Sequence, residues 1–411
     1  MDAARILLQR PALLLTASAK DPFKHIYLGF GSHQDAPCPM YHGTLVRFDY
    51  ANTAPAPALT QFDPDHPFLV SKLGETDPVH FWIFHDEKKL GKGGIWQAGN
   101  GPAADENGNV YVITGNGTFK PGEEYGSNFL RLSPDLKQAD WFAPSNVKLL
   151  DTDTLDIDLG SSGPVLLPST QQVVGGGKQG KLYLLNRSNL GRQNPPIQEF
   201  WAARHWSISF LKGWFPISLI PPAFATGYHH IHGAPAVWGD PKEPNPQSVF
   251  SLYVWPERDN LKSFRYTKGS AAQDGKFTPK PAAMGPKGAP RGMPGGMLSV
   301  SANGMKDGIL WAALPLHDDA WVDIVRGELR AFRITPDGTS LEPAWTSYCA
   351  DENDRFTFAK YVPPTVANGK VYLATFSGFV SVYGLRSAPP TPHSTPDCKV
   401  HEPDNRGHKM K

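Results

Sequence analysis

One pattern of small residues, proline and short apolar strands recurs along this chain of 411 residues. Each copy begins with small residues and a proline, continues with two β-branched or aromatic strands separated by a turn, and closes with a third strand. Six copies are recognisable, and they begin near Pro11, Pro102, Pro164, Pro235, Met297 and Pro364. Most are separated by roughly 60 to 70 residues, longer than a minimal four-stranded blade of ~40–45 residues, so the repeat also carries sizeable loops.

The turns and the composition indicate that each copy is an antiparallel sheet. Asn107-Gly108 and Asn368-Gly369 supply the positive φ of tight hairpin turns. Glycine and proline number 40 each, and aromatic residues reach 11%, which is typical of many short strands and unlike a disordered chain. The sequence therefore predicts an all-β fold, a β-propeller of about six recognisable four-stranded blades, because radial repetition leaves only short sheet edges.

The boundaries of this predicted propeller are set by composition. We expect one propeller domain over residues 1–386, with an inserted loop near residues 200–226, where tryptophan and proline interrupt a blade transition. Residues 387–411 are rich in proline, histidine and lysine and are predicted to be a disordered C-terminal tail. A tail histidine such as His393, His401 or His408 could bind metal adventitiously.

Charge, hydropathy and cysteine spacing exclude several functional classes. The formal net charge is +1 and no basic face is evident, so no nucleic acid partner is predicted. The most apolar later segment, residues 208–224, is interrupted by lysine and prolines and is too short for a membrane span. Cys38, Cys349 and Cys398 are far apart, which argues against a structural zinc site and against a disulfide framework.

Several copies resemble the repeats of the quinoprotein alcohol dehydrogenase-like propeller family, also called the pyrroloquinoline-quinone (PQQ) type. The resemblance covers most of residues 10–385 and is carried by GPAADENGNVYVITGNG, DLGSSGPVLL, GGGKQGKLYLLNR, MPGGMLSVSANG and VPPTVANGKVYLATFSG. Relatives of this kind are larger, with up to eight blades, and the resemblance implies an extracellular or periplasmic location. The chain itself contains no convincing signal peptide, and we expect it to lack about two N-terminal repeats of the family pattern.

The resemblance also implies a ligand in the central funnel, a small molecule or a glycan, and for enzyme members PQQ with calcium. Such an enzyme needs a carboxylate as general base and an aromatic face against the quinone. Asp158 directly precedes a Gly-Pro blade start and is the candidate catalytic base, and Trp96 is the candidate stacking residue. Further candidates for cofactor binding lie near blade starts: Gln97, Ser161, His232 and Lys360.

Three histidines are weaker candidates for metal ligands. His33 and His42 flank a turn-rich segment of the first copy, and His230 shares one face of a strand with His232. Imidazole is a common zinc ligand, but a pair without a nearby third ligand does not define a site. Satisfied structural histidines are the alternative interpretation.

Structural alternatives also stand for the other candidates. Asp158 could cap a turn through hydrogen bonds to the backbone, and Trp96 could pack within a blade. The acidic run of residues 151–158 resembles a calcium loop but lacks the glycine and the terminal glutamate of an EF-hand, which favours a solvated loop. Residues 175–178 are interpreted as a strand followed by a turn, not a phosphate loop, because no helix follows.

Two main classes of function follow from these observations. The vicinal cysteine pair and the tryptophan docking motifs of the resembled enzymes are missing, which favours a ligand- or partner-binding scaffold without a complete catalytic set. The alternative is a PQQ-dependent oxidoreductase acting on alcohols or sugars. A third possibility is a truncated product that has no activity of its own.

Overall fold

The computed structural model describes residues 7–17, 23–32, 43–51, 79–83, 92–134, 136–151, 156–204, 229–239, 250–270, 274–285, 293–321, 323–350 and 355–385. In these ranges the strands form six successive antiparallel sheets, which are the blades of an all-β fold of the β-propeller class, as predicted. Two short helices accompany them, α1 (Val147–Leu150) and α2 (Ser347–Ala350). In the same ranges, no helix has the length and apolar character needed to cross a bilayer.

The described residues divide into two compact units. The first unit contains blades 1 to 3 and extends to Trp201. The second unit contains Ala202–Arg204 and, from His229 onward, blades 4 to 6. The predicted inserted loop lies mostly outside the described residues, and its first residues belong to a regular strand, whereas the predicted tail lies entirely outside them.

The first unit is built from three sheets. Blade 1 contains β1 (Leu7–Leu8), β2 (Leu14–Ala17), β3 (Phe23–Ser32), β4 (Thr44–Ala51) and β5 (Val79–Ile83). Blade 2 contains β6 (Ala103–Ala104), β7 (Val110–Ile113), an added hairpin of β8 (Phe119–Lys120) and β9 (Glu124–Tyr125), then β10 (Phe129–Leu132) and β11 (Gln138–Phe142). Blade 3 contains β12 (Val165–Leu166), β13 (Gln172–Gly176), β14 (Lys181–Asn186) and β15 (Gln198–Trp201).

The second unit repeats the same arrangement. Blade 4 contains β16 (Ala236–Trp238), β17 (Phe250–Val254), β18 (Lys262–Thr267), β19 (Lys276–Phe277) and β20 (Ala283–Met284). Blade 5 contains β21 (Met297–Asn303), β22 (Lys306–Pro315), β23 (Arg326–Ile334), β24 (Leu341–Thr346) and β25 (Phe356–Thr357). Blade 6 contains β26 (Thr365–Ala367), β27 (Lys370–Ala374) and β28 (Val380–Gly384).

The two hairpin turns predicted from Asn-Gly pairs are both present, but they form differently. Asn368 and Gly369 have φ values of 51° and 69°, which is the pattern of a type I′ turn between β26 and β27. At the other turn Gly108 has a φ of 80°, and the carboxylate of Asp105 accepts hydrogen bonds of 2.9 Å from the backbone N–H groups of Asn107 and Asn109. An Asx-type side-chain contact therefore stabilises this second turn.

Apolar cores lie between the faces of neighbouring blades. Between blades 2 and 3, the rings of Phe142 and Tyr183 are 5.7 Å apart and both residues are buried. Between blades 4 and 5, Trp255 and Phe332 pack edge to face with centroids 5.7 Å apart. A third core, which includes Leu45, joins blades 1 and 2. Blade 2 therefore buries both of its faces, which explains why β7 is apolar on both sides.

A buried tyrosine on the second main strand of a blade makes a hydrogen bond to the next blade. Tyr27, Tyr111 and Tyr253 occupy equivalent places on β3, β7 and β17 and are at most 1% exposed. The hydroxyls of Tyr27 and Tyr253 donate to a main-chain carbonyl in the loop after the third main strand of the following blade, that of Pro134 at 3.4 Å and that of Thr335 at 3.0 Å. The hydroxyl of Tyr111 instead donates to the Asp105 carboxylate of its own blade at 2.9 Å and lies 3.3 Å from the Arg187 carbonyl of the next blade.

Tyr253→Phe tests the contribution of this contact. We expect the free energy of unfolding to fall by about 0.5–1.5 kcal/mol, the net value of one intramolecular hydrogen bond, because the ring remains packed while the donor is lost. Urea unfolding followed by circular dichroism measures the change. The matched control is Tyr372→Phe on β27, since the Tyr372 hydroxyl makes no hydrogen bond within the described residues. Equal losses in both variants would show that the contact between blades contributes nothing.

Candidate functional site

The structure brings together the two residues proposed as base and stacking partner. Trp96 precedes a 3₁₀ turn, Gln97–Gly99, that leads into blade 2, and Asp158 precedes a second 3₁₀ turn, Leu159–Ser161, that leads into blade 3. The indole Nε1 of Trp96 donates to Oδ2 of Asp158 at 3.0 Å, across 62 residues of sequence. Residues that precede two successive blade starts therefore meet.

A third residue, Lys178, completes this cluster. It follows β13, and its ammonium lies 2.9 Å from Oδ1 of Asp158 and also forms an ion pair with Asp156. The same ammonium is 5.1 Å from the centroid of the Trp96 ring, within the range of a cation–π interaction. The side chains of Asp158 and Lys178 are only 1% and 7% exposed, whereas that of Asp156 is 54% exposed. The Asp158–Lys178 contact is therefore a buried ion pair.

Burial and charge act in opposite directions on this pair. Burial raises the pKa of Asp158, while the Lys178 ammonium and the Trp96 N–H oppose that rise. Burial lowers the pKa of Lys178, but attraction to Asp158 and Asp156 outweighs it, so the pKa of Lys178 lies above its ordinary value. The ammonium therefore remains charged at neutral pH and serves as the counterion of the buried carboxylate.

Close approach of backbone segments holds the cluster in place. A Cβ added to Gly115 would lie 2.9 Å from Nε1 of Trp96 and 3.2 Å from Oδ2 of Asp158. A Cβ added to Gly160 would lie 2.4 Å from the backbone N of Gly115. Glycine is therefore required where the end of β7 meets the start of blade 3.

The remaining candidates near these two blade starts make structural contacts. The side chain of Gln97 is buried, donates to the carbonyl of Asn100 at 3.1 Å and accepts from the backbone N–H of Ile113 at 3.0 Å. Its φ of 39° is unusual for a residue with a side chain. Ser161 is fully buried within its 3₁₀ turn. These contacts favour a role in holding the blade start for both residues.

In the second unit, His230 and His232 lie beside a carboxylate that the sequence analysis did not identify. The prediction that both histidines lie on one face of a strand is wrong, because they belong to the segment that precedes β16, and Glu257 follows β17 of the same blade. Oε2 of Glu257 is 3.4 Å from Nδ1 of His230 and 3.7 Å from Nδ1 of His232. Donor atoms of the three side chains all lie within 4.8 Å of one another. A third side chain of a type that binds metal ions therefore lies beside the histidine pair.

Aromatic and basic groups surround this second cluster. The ring of Tyr361 is 5.6 Å from that of His232, and its hydroxyl is 3.0 Å from Sδ of Met293. The ammonium of Lys360 donates to the carbonyl of Trp321 at 2.8 Å and is 5.4 Å from the Tyr361 ring. Lys360 is thus connected to His232 through the Tyr361 ring.

The candidates fall into two groups, one in each unit. Trp96, Gln97, Asp158 and Ser161 belong to the first unit. His230, His232 and Lys360 belong to the second, while His33 and His42 lie outside the described residues. That a single funnel gathers all of them stays a prediction.

Sequence analysis missed Lys178 and Glu257 for the same reason. Both residues follow the second strand of their blade, at the end of the sheet where the residues that precede its first strand also lie. In blade 4, Ala236 is opposite Tyr253, and continuing that register places Glu257 opposite His232. A search for charged residues after the second strand of each repeat would have found both.

Comparisons with known proteins give no family assignment. No protein-family model matches the chain, and no curated protein matches it. Among solved structures, it is similar to the β-propeller domain of Cps50 (Swd1) from Myceliophteria thermophila, at 12% identity and a TM-score of 0.38, covering 92% of this chain and 98% of that one. It is also similar to the C-terminal domain of PilY1 from Pseudomonas aeruginosa, at 10% identity and a TM-score of 0.33, covering 91% and 84%. Likeness at this level carries no argument about function, and membership of the quinoprotein family stays a prediction.

Replacing Lys178 tests whether the buried pair is structural. In Lys178→Met we expect the free energy of unfolding to fall by about 3–5 kcal/mol at neutral pH, because a buried carboxylate loses its counterion. Burial then raises the folded-state pKa of Asp158 unopposed by Lys178. The stability that Asp158 contributes in this variant is fully present below its unfolded-state pKa of about 3.9 and is lost as pH rises through its folded-state pKa. The difference in unfolding free energy between wild type and variant should therefore shrink in acid. Urea unfolding over a range of pH measures both effects.

Two further variants separate this effect from a general loss of charge. Asp158→Asn added to Lys178→Met removes the uncompensated charge and should restore most of the lost stability. Lys181→Met is the matched control, because Lys181 pairs at 3.0 Å with the more exposed Glu199 and such surface pairs contribute about 0–1 kcal/mol. The structural interpretation is wrong if the two lysine variants lose the same stability.

Proposed function

We propose that this protein is a β-propeller binding scaffold and not a working quinone-dependent enzyme. The observation that carries the proposal is the closed contact of Asp158 with Lys178 and Trp96. A general base must reach the substrate proton within hydrogen-bond distance. Oδ1 of Asp158 is paired with the lysine and Oδ2 with the indole, and the side chain is 1% exposed. Acting on an alcohol would require breaking this buried pair.

The residues of the cluster also do not fit a calcium-bound quinone. Calcium takes six to eight oxygen ligands at about 2.3–2.6 Å. Within the described residues, Asp156 and Asp158 supply carboxylate oxygens to this cluster, and both are already paired with the Lys178 ammonium. A second cation between them would be repelled by the first. The Trp96 ring, the predicted stacking surface, already has Lys178 at 5.1 Å and Arg10 at 5.9 Å.

One observation favours the second candidate, a PQQ-dependent oxidoreductase acting on alcohols or sugars. Trp96 and Asp158, the two residues that the family resemblance implies, are in direct contact. Lys178 and Arg10 near the ring are cationic groups of the kind that would bind an anionic quinone. The scaffold proposal accounts for the same contact as a structural link between blade starts, and its ligand is a small molecule, a glycan or another protein. An extracellular or periplasmic location belongs to this proposal through the resemblance alone.

A calorimetric titration of PQQ into the purified protein, with and without calcium, distinguishes the two candidates. We expect no saturable heat in either condition, because Lys178 already neutralises the carboxylates that calcium would need. Circular dichroism of the same sample establishes that the protein is folded. A parallel assay of dye reduction with alcohols and sugars should give no substrate-dependent rate.

Three variants make the titration specific. Saturable, calcium-dependent binding that Asp158→Asn and Trp96→Phe weaken, and that the exposed control Asp274→Asn leaves unchanged, would overturn the scaffold proposal. Dye reduction that depends on substrate and is lost in Asp158→Asn would do so independently. Saturable heat that is the same in the wild type and in all three variants would show that the quinone binds elsewhere. Asp158 would then keep its structural assignment.

A further inference from the structure

We propose that His230, His232 and Glu257 form a three-ligand site for a divalent cation of the zinc type. This inference is independent of the scaffold proposal, since it concerns different residues in the second unit. Two neutral imidazoles and one carboxylate are a ligand set that zinc uses when a fourth position remains open. Calcium and magnesium prefer oxygen ligands alone, so two histidines argue against them.

The spacing of the donor atoms suits such an ion. In a tetrahedral site with bonds of about 2.0–2.2 Å, neighbouring ligand atoms are ~3.3–3.6 Å apart. The two Nδ1 to Oε2 separations are 3.4 Å for His230 and 3.7 Å for His232. The donor atoms of all three side chains lie within 4.8 Å of one another, so rotation of the imidazole rings would have to bring the most widely separated pair closer by up to about 1.2 Å.

The backbone around the ligands is held closely. The N–H of Glu257 donates to the carbonyl of His230 at 2.8 Å, which links the two ligand segments directly. Gly295 has a φ of 85°, and a Cβ there would lie 2.9 Å from the backbone N of Glu257. The ring of His229 also contacts the Glu257 carbonyl at 2.9 Å. These contacts fix Glu257 relative to the histidines before any ion binds, which lowers the cost of binding.

The three proposed ligand side chains differ in their exposure to solvent. The His232 side chain is fully buried, whereas Glu257 is 11% and His230 is 18% exposed. Solvent therefore reaches the cluster from the His230 side, which supplies an entry path for an ion. On the other side, Nε of Arg258 is 3.8 Å from Oε1 of Glu257, which leaves Oε2 as the oxygen directed toward the histidines.

The position in blade 3 that corresponds to Glu257 holds one member of a pair of opposite charges. There the residue that follows the second strand is Lys178, and its ammonium is the cation beside Asp158. In blade 4 the charges are reversed, because the residue after the second strand is Glu257 and the residues before the first strand are histidines. Beside Oε2 of Glu257, on the side away from Arg258, a bound metal ion would supply the positive charge that the lysine supplies in blade 3.

Zinc binding to the full chain, freed of metal by chelation, tests the site. We expect one Zn²⁺ per chain by calorimetry and metal analysis. His230→Gln and Glu257→Gln should each weaken binding more than about 100-fold, since even loss of a residue that only supports a ligand costs ~10–100-fold. Both variants keep a side chain of similar size, and His230 is partly exposed. Without metal, the midpoint of thermal unfolding of each variant should therefore stay close to that of the wild type.

Two controls separate this site from other histidines. His317→Gln changes an exposed histidine of the same unit, and a combined His393→Gln, His401→Gln and His408→Gln variant removes the tail histidines. Both should bind one Zn²⁺ with unchanged affinity. Co²⁺ is a second readout, because its visible d–d absorption intensifies in a site of low coordination number, and the absorption should disappear in Glu257→Gln.

Three results would overturn the proposal. The first is a folded wild-type chain that binds no Zn²⁺. The second is binding that both ligand variants retain. The third is binding that the tail variant loses, which would show adventitious binding by the tail histidines. Zn²⁺ should also raise the midpoint of thermal unfolding for the wild type but not for the two ligand variants.

Discussion

The packing of blades face to face is the constraint on which the rest of this structure depends. A sheet that is apolar on both faces is stable only when each face is covered by another layer. The cores between blades 1 and 2, 2 and 3, and 4 and 5 meet that requirement within their units. A tyrosine in such a core must still satisfy its hydroxyl, and Tyr27 and Tyr253 do so by donating to a carbonyl of the next blade, whereas Tyr111 donates to Asp105 of its own blade. The same residue type at the same place in three repeats thus supplies apolar area, and in two of them it also links one blade to the next.

This packing also explains where charged groups accumulate. Residues before the first strand of a blade and residues after its second strand lie at the same end of an antiparallel pair. Asp158 and Lys178 meet there in blade 3, and His232 and Glu257 meet there in blade 4. Because neighbouring segments crowd this end, the groups are desolvated, and a carboxylate placed there needs a cation or a hydrogen-bond donor beside it.

The sequence was sufficient to predict the inner strands of the blades, but it did not predict which side chains contact the site residues. Apolar runs such as Val110–Ile113 and Lys370–Ala374 have the strand pattern and appear as β7 and β27. The added hairpin of β8 and β9 has two-residue strands, too short to show any period. Trp96 and Asp158 were expected near one mouth because both precede blade starts. The sequence places Lys178 in a turn, and it is the pairing of β12 with β13, together with the hydrogen bond from the Lys178 N–H to the Asp158 carbonyl, that brings the two residues together.

Blades 3 and 4 illustrate two ways of placing a negative charge at the same crowded position. In blade 3 the chain carries its own cation, and the resulting pair is nearly sealed from water, so it stabilises the fold but cannot exchange its partner. In blade 4 Arg258 lies beside Oε1 of Glu257, while the groups beside Oε2 are imidazoles, which are neutral when they act as metal ligands and are therefore compatible with an exchangeable cation. Partial exposure of His230 and Glu257 keeps that position in contact with solvent. Of these two described positions, the one in blade 4 is thus compatible with an external ion, while the equivalent position of blade 3 contributes rigidity.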